Sequence, residues 1–193
     1  MRDTFPDPPA ASRFDRLAAH WVYGGALIAP LLLAMLPLLG LDPVATLVWL
    51  ALPVYMLHQY EEHDADRFRR FANDLLAGRR GLSRADVFWI NVAGVWALLV
   101  ATLWLTIAID PGWAAIATWL LGLNGLIHLG QAIALRRYNP GLITALVLFL
   151  PLAAWLWLQV PASLPQQILS FAIVLALHGA ILARATRHGP AVP

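Results

Sequence analysis

Long apolar runs separated by short polar segments organise the whole chain. A helix crossing a bilayer needs about 20 mostly apolar residues, because each adds about 1.5 Å towards a hydrocarbon core of about 30 Å. Six segments meet that test: Trp21 to Leu39, Pro43 to Tyr60, Val87 to Ile109, Trp113 to Leu135, Pro140 to Val160 and Gln166 to Ala183. The predicted fold is all-α, a polytopic transmembrane helical bundle of about six spans, with residues 1–193 forming a single integral membrane domain. A polar N-terminal arm, residues 1–16, precedes the first span and contains Pro6, Pro8 and Pro9. Ser12 and Asp15 have the spacing of a capping box, as do Ser83 and Asp86 ahead of the third span. Pro111-Gly112 predicts the turn into the fourth span, and Pro140 a first helical turn for the fifth. The first span lacks a small-residue cleavage pattern, so it is expected to be retained rather than removed as a signal peptide.

The polar segments set a direction. All 13 basic residues are arginines, and with six spans every one falls on the side that holds the arm, the 61–86 stretch, the 136–139 turn and the C-terminal tail. Arginine marks cytoplasmic segments, which predicts both termini in the cytoplasm. Within the charged cytoplasmic interfacial stretch, 61–86, Phe68, Phe71 and Leu75 recur at helical spacing among Arg67, Arg69 and Arg70. That pattern predicts a helix lying along the membrane surface. His20 is expected at the interface, and His63 and His188 in solvent. The nine tryptophans and four tyrosines are expected mostly as interface anchors and lipid-facing bulk.

Composition agrees with the pattern. The chain is 60% hydrophobic and 12% charged, against about 45–50% and about 25% in soluble domains, so lipid must solvate much of its surface. The absence of cysteine excludes disulfides, thiolate metal sites and cysteine nucleophiles. No basic patch is interleaved with aromatics as in single-strand binders, so nucleic acid is not an expected partner. The expected partners are the lipid bilayer, in a bacterial inner membrane, and a lipid-like small molecule. Oligomeric state is not encoded in any pattern here.

Ionisable groups within a span cost about 2.5–3.5 kcal/mol each at a helix centre and therefore need a reason. His58, Glu61 and Glu62 stand at i, i+3 and i+4 and share one helical face. His63 points elsewhere. Two carboxylates near a helix C-terminus oppose its dipole and call for a cation, either Arg67 with Arg70 or a metal ion. Asn124, His128 and Gln131 form a second stripe at i, i+4 and i+7. His58 and His128 each lie about 15 residues beyond the outer start of their spans, and so at a similar depth. Asn91 and His178 approach the same layer in the inner half. Two histidines and two carboxylates suit a divalent metal, zinc, iron or manganese. The expected ligands are His58, Glu61, Glu62 and His128, with Glu61 and Glu62 also the expected catalytic carboxylates. Asn124, Tyr138, Asn91 and His178 are expected to support them. Helical di-metal bundles use Glu-x-x-His, the reverse of the order here, and neither zincin spacing is present.

These residues carry a resemblance. His58-x-x-Glu61-Glu62 is similar to the signature of the HXXEE family of membrane proteins, and Asn124-x-x-x-His128 and Tyr138-Asn139-Pro140-Gly141 follow it in that family's order. The resemblance covers about 43 to 160. It implies a shared polar site in a multi-span protein and no particular reaction.

Three functions fit the residues. The first is a membrane metalloenzyme acting on a lipid-like or hydrophobic substrate from the inner leaflet, with one glutamate as general base for water activated by the metal. Hydrolysis is favoured over oxidation, because the long His-rich array of membrane desaturases is absent. The second is a carrier for a metal ion or proton. Against it, Asp42 and Asp110 are the only charged residues on the outer side. The third is a metal-free structural or partner-binding membrane protein whose polar motif locks helices together.

Overall fold

The computed structural model describes residues 12–76 and 79–187. Among these there is no strand, and the chain is an all-α bundle. The arm residues Arg2, Pro6, Pro8 and Pro9, and His188, lie outside the described residues. Seven helices are defined here as α1 (Arg13–Leu38), α2 (Pro43–His63), α3 (Arg67–Leu75), α4 (Arg84–Ala108), α5 (Pro111–Leu135), α6 (Leu142–Gln159) and α7 (Leu164–Ala185).

Starts and stops follow local chemistry. Ser12 and Asp15 form the expected capping box, but on the spanning helix itself, so the entry turn and the first span are one continuous helix. Ser83 and Asp86 cap α4 in the same way. Asp42 accepts from the backbone N–H groups of Val44 and Ala45 and opens α2. Pro140 stands just ahead of α6 rather than inside it, because Gly141 at φ 95 turns the chain first.

Five helices are long and apolar enough to cross a membrane: α1, α4, α5, α6 and α7. The remaining helix of the six expected, α2, is present as well. α2, with 21 residues, has the length but ends in His58-Gln59-Tyr60-Glu61-Glu62-His63. It also buries more residues than any other helix, among them His58, Gln59 and Glu62. Surrounded by α1, α4, α5 and α6, it packs against protein, and its polar end is tolerated for that reason. The main core joins Leu47, Val48 and Tyr55 of α2 to Leu99 of α4, Leu120 and Leu121 of α5, and Phe149 and Leu156 of α6.

The arginine-bearing segments meet at one end of the bundle. Arg184 pairs with Asp86 at 2.8 Å, and the backbone N–H groups of Arg80 and Gly81 donate to the carbonyls of Arg187 and Ala185. Arg137 lies over the Phe71 ring, 5.3 Å from its centroid. α3 leaves α2 through Ala65 and Asp66, both at positive φ. It is the short amphipathic helix expected there, but Phe68, Phe71 and Leu75 line a cavity of the bundle.

Two stretches of wide, π-type turns interrupt the ladders, Ile90–Trp96 in α4 and Ala145–Phe149 in α6. Such turns are frequent at functional sites. One contains Asn91, and the other begins directly after Thr144.

Candidate metal centre

His58, Glu62 and His128 meet where α2, α5 and the start of α6 converge. Each offers a ligand atom, all lying within 4.8 Å of one another, and all three residues are buried. His58 Nε2 lies 3.7 Å from Glu62 Oε2, and His128 Nε2 lies 3.6 Å from Glu62 Oε1. Tetrahedral zinc at about 2.0–2.1 Å from its ligands implies donor spacings of roughly 3.3–3.5 Å. The two histidine–glutamate separations are close to that spacing.

Both ring tautomers follow from partners that face the rings with an accepting oxygen. Asn139 Nδ2 donates to the His128 carbonyl at 2.8 Å, so Asn139 Oδ1 faces His128 Nδ1 at 2.7 Å and that nitrogen must carry the proton. The Thr144 hydroxyl donates to Glu61 Oε2 at 2.5 Å. Its oxygen therefore accepts from His58 Nδ1 at 2.8 Å. Each histidine consequently turns a bare Nε2 lone pair towards Glu62. His58 Nε2 is buried without any hydrogen-bond partner. Lone pairs converging without enough donors are costly in a buried place, and a divalent cation is the group they fit.

Gly141 closes the opposite side. A Cβ there would stand 2.8 Å from Cε1 of both His58 and His128, so the backbone passes where no side chain fits. Phe149 packs against His58, ring centroids 4.1 Å apart and planes tilted by 35°.

The two glutamates part company. Glu62 faces the histidines, whereas Glu61 reaches the start of α6. Its Oε1 accepts from the Tyr138 hydroxyl at 2.7 Å and the Ile143 N–H at 3.1 Å, and its Oε2 accepts from the Thr144 N–H at 2.7 Å. That is an N-cap supplied by another helix, with the carboxylate at the positive end of the α6 dipole. Glu61 is not brought to the cluster as a ligand. Its Oε2 also accepts from the Thr144 hydroxyl, which lies against His58 Nδ1. Burial and the adjoining carboxylate raise the Tyr138 phenol above its ordinary range, which keeps it a donor.

His63 was expected in solvent and is buried instead. Its Nε2 lies 3.0 Å from Glu62 Oε2, and its ring sits between Trp21 and Phe68 at 5.4 and 5.3 Å. α2 runs three residues further than Tyr60, so His63 belongs to the helix end and turns back under α1 and α3. Arg67 pairs with Asp64 at 3.3 Å, and Arg70 donates to the Ala65 carbonyl. These two arginines thus have partners other than the motif glutamates.

The other expected residues divide. Asn91 donates to the Val87 carbonyl and accepts from Gln59, which in turn accepts from the Trp96 indole at 2.7 Å. This network holds α2 to α4 one turn from the centre. Asn124 donates to the Tyr55 hydroxyl at 2.8 Å rather than to His128. His178 bonds the Val174 carbonyl of its own helix and lines the cavity of about 480 Å³ that Glu62, His63 and His128 also border. Sequence reasoning missed Asn139 and Thr144 as orienting groups, and Gln59. Gln59 carried a signal, being a polar residue inside the motif. Thr144 carried none.

Among curated proteins and among solved structures, nothing matches this chain. The model of the family described as "Protein of unknown function with HXXEE motif" matches residues 49–156, more than half of the chain, and the chain belongs to that family.

Proposed function

We propose that the protein is a membrane-embedded metal-dependent enzyme with a centre of His58, His128 and Glu62. The observation that carries this reading is the pair of bare Nε2 lone pairs pinned towards one buried carboxylate. Two histidines and one glutamate are a ligand set of catalytic zinc, which keeps a further position for water or substrate. A bound metal would act as a Lewis acid, polarising a carbonyl and lowering the pKa of water.

The residues of the chain do the rest. Asn139 and Thr144 orient the two rings, Glu61 with Tyr138 holds Thr144 in place, and Gly141 and Phe149 exclude water from the far side. His63, at 3.0 Å from Glu62, is placed to hold a proton beside the carboxylate. Glu62 and His128 border the apolar cavity, which favours a lipid-like or hydrophobic substrate, and the lack of a His-rich array like that of membrane desaturases favours a hydrolytic over an oxidative reaction. The arginine-rich end is read as cytoplasmic, which sets the centre towards the inner leaflet of a bacterial inner membrane.

The test is elemental analysis of the purified protein beside His58→Ala and Glu62→Ala. Near-stoichiometric zinc, lost in both variants, supports the reading, and iron or manganese in its place moves the chemistry towards oxidation. Metal at background in well-folded wild-type protein overturns it in favour of a structural role for the motif.

A further inference from the structure

The three residues of the centre do not share one environment. His58 has no exposed surface, and Tyr55 and Phe149 pack on its ring. The Gly141 backbone lies against the Cε1 edges of both histidines. Glu62 and His128, by contrast, border a cavity of about 480 Å³, a size in the range of small-molecule sites. A metal held by two histidines and one carboxylate keeps a position for another ligand. Such a ligand reaches the centre from the cavity, past Glu62 and His128.

The cavity is apolar and its wall is open on one side. α5 and α7 meet near their outer ends, where the Trp119 indole donates to Gln167 at 2.8 Å and its ring packs on Phe171. At the arginine-rich end α7 is held to α4 instead, by Arg184 and Asp86, and α3 covers the cavity with Phe68 and Phe71. Between these points α5 and α7 leave a gap. Ile127 of α5 and Leu175 and Leu182 of α7 line the cavity and are nonetheless 37%, 51% and 59% exposed, so the wall is not sealed there. Gly179 stands on the same face of α7 as both leucines, and a Cβ there would meet nothing within 4 Å. Both helices are long and apolar enough to span a membrane. An alkyl chain can therefore pass from the bilayer into the cavity without crossing water.

Charge bears on the head of such a molecule. Glu62 is the acidic residue of the wall, and among the described residues no arginine borders it. Both histidines present Nε2 as neutral rings, so a divalent cation beside Glu62 retains one positive charge. In a buried, apolar setting that charge calls for one negative charge on the occupant. A carboxylate supplies it. A phosphate monoester brings nearly two charges, and its further oxygens would find no arginine on this wall.

We infer that the cavity takes a single fatty acyl chain, which enters between α5 and α7 and sets its carboxylate on the open side of the centre. The inference rests on the metal-centre reading. It makes an ester or amide of that chain the substrate of a hydrolytic centre. The oxygen of water joins the acyl carbon and the bond to the alcohol or amine breaks, leaving the carboxylate. One proton of the water goes to the leaving group and the other is released.

The experiment uses the purified full chain, delipidated in detergent and loaded with cobalt(II) in place of zinc, so that visible bands report a change of ligand. Laurate, dodecanol and dodecyl phosphate are added at equal concentration, and adducts are counted by native mass spectrometry. Laurate is expected to shift the bands, to appear at one per chain, and to be held at least about tenfold less by chelator-stripped protein. Dodecanol should leave the bands unmoved, and dodecyl phosphate should be retained less than laurate. Ile181→Trp, which puts an indole into the wall, should abolish the laurate shift and adduct while the bands of the lipid-free protein stay as in wild type. Ala72→Phe, on the covering helix, serves if the first variant does not fold. Cobalt bands that laurate does not move overturn the inference and leave the centre standing, as does equal retention of laurate with and without metal. Dodecanol or dodecyl phosphate that matches laurate overturns the carboxylate head, and a shift undiminished by both variants overturns the cavity as the site of the chain. Protein that takes up no cobalt overturns the metal-centre reading and this inference with it.

Discussion

Asn139 holds His128 at two points, accepting from its ring Nδ1 at 2.7 Å and donating to its carbonyl at 2.8 Å. Both residues are buried. The clamp joins the loop before α6 to the middle of α5, and it settles which histidine nitrogen is free. Groups that orient a metal-binding histidine in this way commonly carry 10–100-fold in affinity. Asn139→Ala is therefore expected to weaken zinc about 10–100-fold, read by competition with a chelator of known affinity. Unchanged affinity in a folded variant would show that the clamp serves only the loop.

Thr144 has the corresponding position at His58. Thr144→Val removes the hydroxyl and leaves the His58 Nδ1 proton without an acceptor, at a cost of about 1–3 kcal/mol for the buried orphan. Thr144→Ser keeps the relay from Glu61. The expected order of metal affinity is wild type, then Ser within a few-fold, then Val at least about tenfold lower. Equal losses in Ser and Val would point to packing of the Thr144 methyl group instead of the relay.

Gly141 offers a test from the backbone side. Alanine there must adopt φ 95 and put a methyl 2.8 Å from both histidine rings. Strain of this kind costs about 1–3 kcal/mol before any clash. Gly141→Ala should thus lower both the thermal midpoint and the metal content, measured on the same detergent sample. A variant with wild-type metal content would mean that the rings leave room for that methyl, standing farther than 2.8 Å from its position.

Much of this arrangement was legible in advance. The apolar runs located the helices, and the depth of His58 on α2 and His128 on α5 was enough to bring them to one layer. What the sequence could not carry was the fate of neighbours on one face. Glu61 and Glu62 are consecutive and both lie near His58 by helical geometry, yet one meets α5 and the other α6. The choice is made by where the N-terminus of α6 docks, through contacts 77 to 83 residues away in the chain. His63 was misjudged for a related reason. A charged flank suggested solvent, but α3 folds back over the end of α2 and covers the ring with Phe68. The apolar run from Pro43 to Tyr60 predicts the second helix, and only its neighbours explain why its polar end is buried.

Glu62 itself yields the sharpest stability prediction. Without a metal, its two oxygens face two Nε2 lone pairs at 3.7 and 3.6 Å, and acceptors face acceptors. Glu62→Gln replaces one oxygen by an amide group with two protons to donate, at nearly constant volume. The metal-free variant should therefore melt above metal-free wild type by a few degrees, at about 2–4 °C per kcal/mol for a chain of this size. Zinc should reverse the order. Wild type gains about 2.7 kcal/mol at a hundredfold excess over its dissociation constant, while Glu62→Gln, having lost the only carboxylate of the cluster, gains little. Melting both proteins with chelator and with zinc gives four midpoints. A crossing of the two pairs is the signature of a metal site held in tension, and a Gln variant less stable under both conditions would mean that the carboxylate is a structural hydrogen-bond partner of His63.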